Sequence, residues 1–126
     1  MKKLVVDLDN TITLGDTKDY KNVSPNIELI KKLREYKNNG FEIVINTARN
    51  MKTYKGNVGK INIITLPLII DWLDKHNVPY DEIIVGKPWC GTDGFYIDDR
   101  AVRPSEFESM TFEELTDLIN KEKKCI

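Results

Sequence analysis

The stretch Lys3-Leu4-Val5-Val6-Asp7-Leu8-Asp9-Asn10-Thr11 decides the fold. A short, β-branched apolar run that breaks into an Asp-rich turn predicts a strand over residues 3–8, buried on both faces, with acidic groups at its carboxyl end. Working outward, Ser24 offers an N-cap with Pro25 at the first helical position, and Ile27, Ile30, Leu33 and Lys37 recur at helical spacing until Asn39-Gly40. A first helix is expected over about 25–38. Phe41 to Asn46 reads as a second strand, and Ile61, Ile64, Leu68, Trp72 and His76 trace a second helix that ends before Pro79. Glu82 to Val85 form a third strand, and Phe95-Tyr96-Ile97 a short fourth one closed by Asp98-Asp99. Thr111-x-x-Glu114 is a capping box that opens a last helix carrying Leu115, Leu118 and Ile119. Strands alternating with helices at this spacing predict a parallel sheet with helices on both faces, in a single domain over residues 1–126.

The composition narrows the function. The 126 residues carry 19 Lys plus Arg against 20 Asp plus Glu, a net charge of −1, which argues against a strongly basic nucleic-acid surface or a polybasic membrane patch. With 40% hydrophobic residues there is enough apolar material for one core without a disulfide or structural metal. Cys90 and Cys125 form no C-x-x-C pair, and a reducing, cytoplasmic setting is expected. Met1-Lys2-Lys3 is followed by too short an apolar run for a signal peptide, and no stretch approaches a membrane span. His76, the only histidine, falls where a helix ends and is read as a cation favoured by the helix dipole.

In open parallel sheets, ligands bind at the carboxyl ends of the strands. Here those ends carry Asp7-Leu8-Asp9-Asn10-Thr11, Asn46-Thr47-Ala48-Arg49, Gly86-Lys87-Pro88 and Asp98-Asp99. Carboxylates converging from two strands repel in a low-dielectric crevice, and a hard divalent cation such as Mg²⁺ is the natural neutraliser. A lysine and a hydroxyl on the remaining strand ends complete the equipment for holding a transferring phosphoryl group. Taken singly, each feature has an ordinary explanation: a loop start for Asp7-x-Asp9, a helix cap for Thr47, a solvated lysine at Lys87 and a solvating pair at Asp98-Asp99. Their joint occurrence at successive strand ends is what points to chemistry.

With D-x-D-x-T, a strand-terminal Thr, a Lys and a late Asp pair in that order, the chain resembles the haloacid dehalogenase superfamily from Asp7 to Asp99. Thr-Ala-Arg-Asn at 47–50 and Gly-Lys-Pro-Trp-Cys-Gly at 86–91 are similar to the small phosphatases associated with capsular polysaccharide biosynthesis. The resemblance implies a Rossmann-like α/β/α core with strand order 3-2-1-4 and, since both usual insertion points are short, no cap domain. It implies a phosphatase in which Asp7 attacks phosphorus to form an aspartyl phosphate and Asp9 serves as acid and then base. Thr47 and Lys87 would hold the phosphoryl oxygens, and Asp7, the Asp9 carbonyl, Asp98 and Asp99 would bind Mg²⁺. Thr11 would brace the first loop, and Asn10 would sit in a turn that tolerates positive φ.

Substrate contacts are expected from Arg49 and Lys55 in the loop 48–59, from Trp89, and from Arg100 after the acidic pair. The substrate is expected to be a small phosphorylated metabolite, with a sugar phosphate favoured. A site without a cap needs a bulky substrate or a lid from a neighbouring subunit, so a homo-oligomer is expected. A phosphotransferase or mutase of sugar metabolism is the alternative. A phospho-accepting receiver module fits less well, because its acceptor follows the third strand, where this chain has Gly86-Lys87.

Overall fold

The computed structural model describes residues 2–15 and 18–123, which form two compact units, Met1–Trp89 and Cys90–Ile126. In the first, β1 (Lys3–Val6), β4 (Glu42–Thr47) and β5 (Glu82–Val85) make a three-stranded parallel sheet with β4 in the middle. The register pairs Val6 with Ile45 and Thr47 with Val85, so the carboxyl ends of all three strands lie along one edge of the sheet. This agrees with the expected order for the first three strands. Residues 95–97 form no strand, and the expected 3-2-1-4 sheet stops at three. A short antiparallel pair, β2 (Thr13–Leu14) and β3 (Ser24–Pro25), closes the first long loop.

The two faces of the sheet differ. Alternation along parallel strands puts Leu4, Val6, Ile43, Ile45, Ile83 and Val85 on one face, where Ile43 and Ile45 are fully buried. Leu8, Leu29, Leu33, Ile61, Ile69 and Leu73 are buried too, each contributing about 2 kcal/mol of apolar transfer. The opposite face carries Lys3, Val5, Glu42, Val44, Asn46, Glu82 and Ile84, and on it Val5 is 66% and Ile84 49% exposed. β1 is therefore half-buried, against the expectation of burial on both faces. Lys3 lies within salt-bridge distance of both Glu42 and Glu82 on this face.

Helix α1 (Ile27–Asn38) starts later than Ser24 and Pro25 suggest, because those two residues pair as β3. Asn26 takes the cap. Its side-chain oxygen accepts from Leu29 N–H, its amide donates to the Thr11 carbonyl at 3.0 Å, and its own N–H donates to the Ile12 carbonyl at 2.8 Å. One buried side chain thus starts the helix and fastens the first loop. The buried stripe is Leu29, Ile30, Leu33 and Tyr36, while Ile27 is exposed.

The second helix is interrupted. α2 (Val58–Lys60) runs into a π-helical turn, Ile61–Thr65, before α3 (Leu66–Lys75). The wider turn rotates α3 about the helix axis, so the buried series is Ile61, Thr65, Ile69, Trp72 and Leu73, and the expected core residues Ile64 and Leu68 are exposed. Trp72 donates from its indole N–H to the Val23 carbonyl at 3.0 Å, pinning the end of the first loop. His76 caps α3 with its ring against Trp72. Burial, then Lys75, lowers its proton affinity and so disfavours the cation expected there, while Lys75 places a positive charge in the last turn.

In the second unit, α5 (Phe112–Asn120) begins at the expected capping box, with Glu114 N–H donating to the Thr111 hydroxyl and Thr111 N–H to the Glu114 carboxylate. It is preceded by α4 (Pro104–Ser109), which the hydrophobic periodicity does not reveal; Pro at the first helical position and Glu106 accepting from the Arg103 N–H were its signal. Cys125 lies outside the described residues.

Asp81, just ahead of β5, is an electrostatic tie between elements of the fold. Its carboxylate accepts from the Lys37 ammonium at 2.6 Å and from the Ile43 N–H at 2.8 Å, joining α1, β4 and β5. Those two donors, Lys37 foremost, hold its carboxyl below the usual range. The folded state therefore binds this proton less readily than the unfolded state, and the contribution is present at neutral pH and lost as pH falls through the folded value. Asp81→Asn is expected to cost under about 1 kcal/mol at pH 7, since the group is partly exposed, and nothing at pH 2–3. Chemical denaturation at both pH values checks this; an equal cost at both would contradict it.

Candidate active site

The carboxyl ends of β1, β4 and β5 bring Asp7, Thr47 and Lys87 together, and Lys87 N–H donates to the Thr47 carbonyl at 3.1 Å. Gly86 turns the chain out of β5 with φ +88°, and a Cβ there would press on the Val58 side chain at 3.0 Å. Only glycine releases Lys87 in this direction.

Asp7 is flanked on both oxygens. Thr11 donates its hydroxyl to Oδ2 at 3.1 Å, and the Lys87 ammonium stands 3.5 Å from Oδ1. The Asp7 side chain remains 38% exposed, so a ligand in solvent can reach it. Thr11 braces the acidic turn, as expected. Asn10 has φ 59°, and its N–H donates to the buried Thr13 hydroxyl.

Asp9 has one dominant partner. Arg49 Nη2 donates to Oδ1 at 2.7 Å, and Arg49 Nε donates to both carboxylate oxygens at 3.2 Å, a forked pair in which the arginine is 5% exposed. The guanidinium also lies 4.1 Å from the Tyr20 ring centroid, so the first loop supplies a face of its enclosure. In this arrangement Arg49, expected at the substrate, is engaged with Asp9. Tyr20 is the residue that sequence reasoning missed; its only signal was an aromatic residue in a loop longer than packing requires.

Thr47 is buried, and its hydroxyl accepts from the Arg49 N–H at 3.0 Å, an arrangement that fixes the start of the 48–57 turns. Asn50 accepts from the Thr65 hydroxyl at 2.7 Å, anchoring those turns to the π-helical segment. Lys55 is exposed with φ 50°, and Trp89 is half exposed.

Asp98, Asp99 and Arg100 belong to the second unit, where all three are exposed and the Arg100 N–H donates to the Asp98 carboxylate at 2.8 Å. Among the described residues, no three His, Cys, Asp or Glu side chains form a group positioned to hold a metal ion. Asp7 and the Asp9 carbonyl are hard oxygen donors suited to Mg²⁺, but the Asp7 carboxylate is occupied by Thr11 and Lys87.

No family model and no curated protein matches the chain. Among solved structures, it is similar to an MCSG target from Vibrio cholerae, with 71% identity, 98% of this chain and 100% of that chain covered, and a TM-score of 0.96. At that identity and coverage the two chains belong to one family. Among the described residues, no helix is long and apolar enough to cross a membrane.

Proposed function

We propose that the protein is a phosphomonoester hydrolase of the haloacid dehalogenase type, acting on a small phosphorylated metabolite, with a sugar phosphate of surface-polysaccharide synthesis as the favoured class. The supporting observation is the Asp7 carboxylate at a strand tip, accessible and flanked by the Lys87 ammonium and the Thr11 hydroxyl. A cation beside a nucleophilic carboxylate attracts a phosphate dianion that the carboxylate alone would repel.

In this reading an Asp7 oxygen bonds to phosphorus as the ester P–O bond breaks, and Asp9 gives its proton to the leaving oxygen. Water then attacks the aspartyl phosphate, Asp9 takes back a proton, and inorganic phosphate leaves with the Asp7 carboxylate restored. Lys87 neutralises charge on the phosphoryl oxygens. Arg49 positions Asp9, and its fork has to slacken for Asp9 to carry a proton. Thr47 braces the turn and offers its hydroxyl on that side. Lys55 and Trp89 are the exposed groups of the first unit proposed to meet the rest of the substrate. Magnesium, held by Asp7, the Asp9 carbonyl and the Asp98-Asp99 pair, would supply charge neutralisation at phosphorus.

A screen over sugar phosphates, nucleotides and phosphorylated oligosaccharides is expected to release inorganic phosphate with Mg²⁺ and to fall to background with EDTA. Phosphate transfer to an acceptor without release would favour the phosphotransferase alternative, and inactivity on every ester would overturn the reading.

A further inference from the structure

The first unit ends in an open parallel edge. Among the described residues β1 pairs with β4 alone, so the main-chain groups of Lys3 and Val5, which point away from β4, have no strand partner. Such an edge templates a further strand. On the sheet face beside it Val5 and Ile84 are exposed, while Val44 between them is buried.

The second unit carries a matching element. Phe95-Tyr96-Ile97 is a run of high strand propensity outside any helix or strand, and Phe95 is 77% and Ile97 90% exposed. Large apolar side chains in solvent, as at Phe95 and Ile97, are a liability unless something covers them. The connection leading into them is sharply set: Gly91 has φ +80°, and a Cβ at Gly94 would run into the Cys90 carbonyl oxygen. A tight connection of this kind, beside an unformed strand, favours exchange between copies.

We propose that two copies exchange these elements, residues 95–97 of each chain adding to β1 of the other as a fourth parallel strand. Each site is then composite: Asp7, Asp9, Thr47 and Lys87 come from one chain, and the late Asp pair comes from its partner. With the acidic pair level with Asp7, Phe95, Tyr96 and Ile97 lie beside Leu4, Val5 and Val6. The exchange covers the apolar run, closes the edge and brings the partner's acidic pair level with Asp7. Its catalytic consequence rests on the function proposed above; its architecture does not.

Two measurements test the exchange independently of catalysis. Light scattering is expected to give twice the 14.6 kDa chain mass. In a Cys90→Ser, Cys125→Ser background, oxidised Val5→Cys, Tyr96→Cys protein is expected to run as a covalent dimer. A monomeric wild type, a monomer-sized cross-link or no cross-link overturns the exchange. For the composite site, Asp7→Asn chains co-refolded with Asp98→Asn, Asp99→Asn chains should recover about a quarter of wild-type activity, since half the dimers are mixed and each holds one intact site. Neither variant refolded alone recovers it. A confirmed dimer whose wild type hydrolyses no ester leaves the exchange standing and removes the phosphatase reading. An active wild type without recovery in the mixture removes the shared site.

Discussion

Asp7→Asn protein is expected to hydrolyse a generic aryl phosphate at least about a thousandfold more slowly than the parent while remaining folded. The amide is nearly isosteric, keeps an oxygen to accept from Thr11, and loses only the charge that faces Lys87 at 3.5 Å. That ion pair is partly exposed on both sides, so its loss changes stability by under about 1 kcal/mol. Chemistry and fold therefore separate at this residue. An amide is a poor nucleophile toward phosphorus. Steady-state kinetics and a thermal melt on the same preparation decide the matter; turnover within tenfold of the parent would remove Asp7 as nucleophile.

The second large effect belongs to Arg49. Its side chain is almost wholly enclosed, donates three contacts to the Asp9 carboxylate and lies under Tyr20. Arg49→Ala removes charge-assisted hydrogen bonds and leaves a void beside a carboxylate that is still partly solvated, a loss of about 2 kcal/mol. In a chain of this length that is a fall in Tm of roughly 5–10 °C. Activity should fall about tenfold or more in kcat, with KM changing less, because Asp9 loses its fixed orientation rather than the substrate its binding partner. Arg49→Lys keeps the charge without the planar fork, and is expected to recover under half of the stability and little of the rate. A rise in KM with kcat unchanged would make Arg49 a substrate contact instead.

The strand tips were legible in the sequence because they depend on local pattern. An apolar run meeting Asp7, Thr47 or Lys87 marks where a strand leaves the sheet, and all three arrive at one edge. What was illegible was set by partners distant in the chain. Ser24 looks like a cap until Thr13-Leu14 claims it as a strand, leaving the work to Asn26. Ile64 and Leu68 look like core until the π-helical turn rotates them outward, and a regular 3.6-residue period cannot register such a turn. The Arg49–Asp9 fork spans 40 positions and leaves no periodic trace. Phe95-Tyr96-Ile97 has the composition of a strand, but forming one requires a neighbour to supply the ladder, and among the described residues it pairs with none.

Tyr20 sits on Arg49, Arg49 grips Asp9, and Trp72 fastens the backbone three residues beyond Tyr20, at Val23. In the proposed reaction the first loop and the proton-carrying Asp9 would thus be mechanically one part. Sequence drift in that loop, the ordinary way for an enzyme to acquire a new clientele, would here retune turnover at the same stroke. Under the proposed function, selectivity and speed are inherited together.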